Sequence, residues 1–120
     1  MKIYLAGPMR NILNYNFPAF YAAEVKLLEL GHKVCNPARV DNERGFDEKG
    51  KSTILEMEAA GLTLRDTLAF DLEWICREAE AIVVLPGWEN SRGATAEVAT
   101  ARALDIPVHV LDTFTEVAGE

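Results

Sequence analysis

Ala81-Ile82-Val83-Val84-Leu85, running through Pro86-Gly87-Trp88-Glu89-Asn90 into Ser91-Arg92-Gly93-Ala94-Thr95-Ala96-Glu97, is the stretch whose reading decides the fold. An apolar run bounded by Pro and Gly reads as a strand buried in a sheet. Ser91 then opens a helix expected over about Gly93 to Leu104. A strand that turns into a helix through Ser and Gly offers free backbone N–H groups and a dipole suited to an anion. One turn later, Glu97 falls among Ala94, Val98, Ala101 and Leu104 on the apolar side, where a charge is costly.

The same alternation extends in both directions. Lys2 to Ala6 reads as a first strand with a turn at Gly7-Pro8. A helix follows from Asn16 as N-cap, with Pro18 in its first turn, to Leu30 before Gly31; Phe20, Val25, Leu27 and Leu28 form its packing surface. Lys33-Val34-Cys35 is a short second strand ended by Asn36-Pro37. From Ala38 to Leu64 the periodicity dissolves, as in an active-site loop, with a small helix over Ile54 to Ala60. A helix from about Thr67 to Ala79 repeats Leu68, Leu72, Ile75 and Ala79 at helical spacing. At about 100° per residue, Asp71 lies within that stripe. A last strand, Pro107 to Leu111, precedes a short tail from residue 112 to 120. Long, mostly helical connections imply a parallel sheet with helices on both faces: an α/β, Rossmann/flavodoxin-like single domain over residues 1–120.

Composition narrows the function. The chain has 120 residues, 49% of them hydrophobic, so it should be an ordered domain. Its 12 Lys and Arg against 19 Asp and Glu give a net charge of −7, the wrong sign for a nucleic-acid polymer. No segment reads as a signal peptide or membrane span, so a cytoplasmic location is expected. Cys35 and Cys76, without CxxC spacing, read as reduced core residues. His32 and His109 lack partners at ligand spacing, so no metal is expected.

In such a sheet, ligands bind beyond the carboxyl ends of the strands, where the loops after Ala6, Cys35, Leu85 and Leu111 should meet. The first carries Gly7, Pro8, Met9 and Arg10. The third carries Trp88, Asn90, Ser91, Arg92 and Gly93. Taken singly, each residue has an ordinary reading: Gly7-Pro8 as a turn, Ser91 as an N-cap, Arg10 and Arg92 as solvated charges, Trp88 as core. Their shared place at one sheet edge favours a site. Neither His is placed as a base for Ser91, and no GxxxxGK[ST] loop is present. Two carboxylates and an anion-binding turn admit several chemistries; the attractive one is glycosidic, in which one carboxylate attacks or stabilises an electron-poor anomeric carbon and a second acid handles the leaving group's proton.

Tyr4-Leu5-Ala6-Gly7-Pro8-Met9-Arg10, Asp71-Leu72-Glu73-Trp74 and Gly87-Trp88-Glu89-Asn90-Ser91-Arg92-Gly93-Ala94 with Glu97 and Ala101 together resemble the nucleoside 2-deoxyribosyltransferase superfamily. Within it the resemblance is to small, often phage-encoded members and to 2′-deoxynucleoside 5′-phosphate N-hydrolases. It implies Glu97 as nucleophile on C1′, Asp71 beside it, and Tyr4 near sugar and nucleophile. It further implies Arg10, Ser91 and Gly93 on the phosphate, which the N–H groups from Arg92 to Ala94 at the helix start would join. Gly7, Met9, Trp88 and Asn90 fall to the sugar and base, with the loop around Phe46 as a further wall. A serine that the nucleotide hydrolases take from a neighbouring subunit has no counterpart beyond Thr113 and Thr115. A histidine after the second strand is replaced by Asn36-Pro37-Ala38-Arg39, leaving Arg39 as a candidate contact.

The expectation is a homo-oligomeric N-glycosidase, a dimer or larger, that needs no cofactor. It would cleave a (deoxy)nucleoside 5′-monophosphate into free base and sugar 5-phosphate. A deoxyribosyltransferase and a non-catalytic nucleotide-binding module are the alternatives, and cleavage of a dinucleotide cofactor is more distant.

Overall fold

In the computed structural model, which describes residues 1–48, 61 and 63–119, the sheet is built around the strand Lys2–Ala6 (β1). β1 pairs in parallel with Lys33–Cys35 (β2) on one side and with Ala81–Val84 (β3) on the other. Val108–Val110 (β4) adds in parallel to β3, giving the order β2-β1-β3-β4. Phe17–Glu29 (α1) links β1 to β2, Pro37–Glu43 (α2) and Leu64–Glu78 (α3) lie between β2 and β3, and Arg92–Ala103 (α4) links β3 to β4. The chain leaves β1 toward β2 and returns on its other side to β3. That reversal creates a switch point between β1 and β3, where the loops part and a crevice opens. The fold is a Rossmann/flavodoxin-like α/β domain.

The alternation of side chains along each strand sorts the core into two layers. Ile3, Leu5, Ala81 and Val83 pack with Phe20, Ala23 and Leu27 of α1, together with Phe17, Phe46 and Phe114. Tyr4, Ala6, Ile82 and Val84 face the other way, onto Ile75 of α3 and Ala94, Val98 and Ala101 of α4. Tyr4 thereby enters the α3/α4 layer as its one buried phenol.

Several expected details are corrected. Val25 and Leu28 are both 52% exposed and Leu104 is 49% exposed, so none of them packs inward. Asn16 begins α1 in the left-handed region (φ 60°) without capping it; its Nδ2 instead donates to the Pro8 carbonyl at 3.0 Å. Asn11, Asn14 and Tyr15 share that conformation, three of the four being Asn, which tolerates it. Tyr15 is held there by ring contacts with Phe17 and Phe46. The segment after β2 is not all loop, because α2 begins at Pro37, capped by Asn36 Oδ1 accepting from the Ala38 N–H at 2.9 Å. The small helix expected over Ile54 to Ala60 lies outside the described residues. Cys76 is exposed, not core, and both cysteines are free. The tail packs back: Phe114 is buried between His32 and His109, and the Ala118 N–H donates to the Leu30 carbonyl at 2.8 Å.

Gly7 follows β1 where the side chains of Leu85 and Phe20 close in from one core layer. A Cβ there would stand 2.9 Å from Leu85 Cβ and 3.3 Å from Phe20 Cζ. Gly7→Ala is therefore expected to destabilise the fold by about 1–3 kcal/mol through overpacking, read as a lower denaturation midpoint at unchanged slope.

Candidate active site

The crevice at the switch point is a cavity of about 350 Å³, within the range of small-molecule sites. Its walls come from four elements. The β1 loop supplies Gly7, Pro8, Met9, Arg10 and Asn11, and Tyr4 projects from β1 itself. The β3 loop and the start of α4 supply Asn90, Ser91, Arg92, Gly93, Ala94 and Glu97. Pro37 and Asp41 of α2 and a stripe of α3, Leu64, Thr67, Leu68 and Asp71, close the rest. That stripe repeats at three and four residues, so one face of α3 lines the cavity and continues as Ile75 into the core.

Two carboxyls and a phenol meet at the floor. Tyr4 Oη donates to Glu97 Oε2 at 2.6 Å, and the Asp71 carboxyl lines the cavity beside them, close enough to interact with both. Glu97 is 5% exposed and Asp71 9%. Burial pushes the Glu97 carboxyl well above its usual range, and the Asp71 charge pushes it further; the Tyr4 hydroxyl pulls the other way. Burial likewise raises Asp71, to about 6, although the Tyr4 hydroxyl, the Glu97 carboxyl and the Arg44 charge oppose the rise. Burial and the two carboxylates also raise the Tyr4 phenol, which stays a donor. Two such carboxyls in contact do not both ionise, so near neutrality the pair holds one proton.

The rim is of opposite character. Ser91 caps α4, its Oγ accepting from the Ala94 N–H at 3.2 Å, and the first bond of the helix runs from the Thr95 N–H to the Ser91 carbonyl at 2.9 Å. Ala94 is thus already paired, and the N–H groups of Arg92 and Gly93 are those that precede the helix ladder. A Cβ on Gly93 would meet nothing nearer than Ser91 Oγ at 3.9 Å. Arg10, half-buried, lines the cavity with them.

Tyr4, Gly7, Met9, Arg10, Asp71, Asn90, Ser91, Arg92, Gly93 and Glu97 thus share one cavity. Trp88 does not line it: its ring packs against the α3/α4 core layer beneath the Arg102 guanidinium, 5.9 Å away. Phe46 is buried in the opposite layer. Arg39 is engaged elsewhere, in a two-point ion pair with Glu24 (Nε to Oε2 3.0 Å) and over the Tyr21 ring. The loop after Leu111 does not reach the site. Asp41 was not foreseen, although Asn36-Pro37 is a helix-start signature that places residue 41 one turn in, beside Pro37. Among the described residues, no group of His, Cys, Asp and Glu is arranged to hold a metal, and no helix is long and apolar enough to cross a membrane.

Residues 1–110 match the family described as a domain of unknown function, DUF4406. Neither a curated protein nor a solved structure matches the chain.

Proposed function

The chain belongs to the DUF4406 family, and we propose that in this member the cavity is the active site of an N-glycosidase acting on a (deoxy)nucleoside 5′-monophosphate. The observation that carries this reading is the Tyr4–Glu97–Asp71 cluster at the floor of a cavity whose rim is a helix N-terminus with Arg10. Acid groups at one end and anion donors at the other fit a sugar with a phosphate on it. A phosphate would accept from Ser91 Oγ, from the N–H groups of Arg92 and Gly93, and from Arg10.

In the proposed reaction, the proton shared by the carboxyls moves to Asp71, leaving Glu97 as a carboxylate steadied by Tyr4. Glu97 bonds to C1′ as the C1′–N bond breaks, and that bond's electron pair departs with the base. Asp71 gives its proton to the departing base. Asp71 then takes a proton from water, the water oxygen bonds to C1′, and the Glu97 ester opens. The proton returns to the carboxyl pair, ready for the next turnover.

The test is a panel of nucleoside and deoxynucleoside 5′-monophosphates, with the matching nucleosides, read by chromatography for free base. Base release from monophosphates is expected to exceed that from nucleosides by about a hundredfold in kcat/KM, and Arg10→Ala is expected to raise KM by about tenfold. Base exchange without sugar release on adding an acceptor base would replace hydrolysis by transfer. Tight binding without any product would make this a binding module. A cytoplasmic location and a homo-oligomer belong to the same proposal. The exposed cysteine Cys76 and the exposed apolar Val25 and Leu28 on α1 support them, and sedimentation reads the second.

A further inference from the structure

Asp41 is a carboxyl that the proposed reaction does not use. It stands four residues after Pro37 on α2, so both fall on one side of that helix and line the cavity. It is 5% exposed, and among the described residues no hydrogen-bond donor is paired with its carboxyl. A buried carboxyl facing a cavity without a donor is costly unless a ligand supplies one. The charged groups that face it are Asp71 from α3, Arg44 from its own helix and Arg10 from the β1 loop. Burial, reinforced by Asp71 and opposed by the two arginines, brings its carboxyl up to about 7.

Its place in the sheet separates it from the N-terminus of α4. Ser91 to Gly93 follow β3 and Asp41 follows β2, with β1 between them. Two strand spacings, roughly 10 Å, part the two ends. Beside Asp41, α2 gives the cavity Pro37, and α3 gives it the apolar Leu64 and Leu68 and Thr67, whose hydroxyl bonds to the Thr63 and Leu64 carbonyls at 3.1 Å each. A flat apolar ring fits such walls, and Asp41 is the polar side chain it would meet.

We infer that Asp41 accepts hydrogen bonds from the edge of the nucleobase, so that the site favours amino-bearing bases over uracil and thymine; this rests on reading the cavity as a nucleotide site. Asp41, Asp71 and Glu97 bring a surplus of acceptors to this part of the cavity. An amino-bearing edge brings N–H donors. Uracil and thymine place a carbonyl oxygen on each side of their single ring N–H, so a carboxylate meeting that edge also faces an acceptor.

The test measures kcat, KM and calorimetric affinity for the 5′-monophosphates of deoxycytidine, deoxyadenosine, deoxyguanosine, thymidine and deoxyuridine, with wild type, Asp41→Asn and Asp41→Glu. In wild type, at least one amino-bearing nucleotide is expected to exceed both thymidine and deoxyuridine monophosphate by about tenfold or more in kcat/KM. Asp41→Asn should erase that preference through KM rather than kcat, and Asp41→Glu should keep it. For the favoured nucleotide, KM should fall as pH rises through about 7 in wild type and stay flat in Asp41→Asn. Equal losses for all five nucleotides, or a wild-type preference for thymine or uracil, would overturn the inference. If wild type releases no base, the N-glycosidase reading fails, and the five affinities decide Asp41 by the same criteria. If none of the five binds, the inference falls with it.

Discussion

Glu97→Gln is expected to lower base release by at least about a thousandfold in kcat/KM, some 4 kcal/mol of transition-state stabilisation. The amide preserves shape and an acceptor for Tyr4 Oη, whose 2.6 Å bond holds the side chain. What it removes is the lone pair that bonds to C1′ and the proton exchanged with Asp71. Nucleotide affinity should therefore stay within a few-fold of wild type while turnover disappears, the mark of an interaction made only in the transition state. Mass spectrometry of wild type quenched during turnover should show a glycosyl ester on Glu97, absent from the variant. Base release by Glu97→Gln at the wild-type rate would exclude a covalent role for this residue.

Stability should fall as pH rises from 5.5 to 8. Asp41 is raised to about 7, Asp71 to about 6, and Glu97 well above its usual value, all chiefly by burial. In that window the folded chain keeps protons that the unfolded chain has released, so unfolding becomes easier as pH climbs. The stabilisation is complete below the unfolded carboxyl range near 4 and is lost as pH passes through the folded values. One such group contributes a slope approaching about 1.4 kcal/mol per pH unit, and for a domain of this size each kcal/mol moves Tm by about 4 °C. A drop in Tm of at least about 5 °C across the window is the expected calorimetric result. Asp71→Asn should flatten the dependence and raise Tm most at pH 8, since it removes a buried charge beside Glu97. A Tm that rises with pH would mean that the carboxyls ionise freely and share no proton.

The floor of the site was legible because helical phase is a local property. Eight residues of α3 and six of α4 suffice to turn Asp71 and Glu97 inward, and both are buried. The bond joining Tyr4 to Glu97 spans 93 residues, and no local pattern carries it; the sequence resemblance supplied that pairing. Asp41 was hidden because charged sequence after β2 reads as loop when its capping signal is passed over. On α1, apolar residues lie on more than one side, so phase alone does not tell buried Leu27 from exposed Leu28. Trp88 read as a base platform because a loop aromatic has no period, and its partner Arg102 lies a full helix away. Phe114 is buried by His32 and His109, contacts that only the folded sheet brings together.

Tyr4 reaches Glu97 from the central strand, and this makes strand register a chemical variable. Neighbours Ile3 and Leu5 point to the opposite layer, so a slip of β1 by one residue would offer a hydrocarbon to Glu97 and send the phenol among Phe20 and Leu27. The phenol would then be buried without a partner and Glu97 would lose its donor, at a cost of a few kcal/mol, while most apolar contacts would find substitutes. Hydrophobic packing alone discriminates weakly between such neighbouring arrangements. The phenol–carboxyl pair discriminates sharply, acting as a checksum on the sheet: the chain reaches low energy only in the register that also assembles its site.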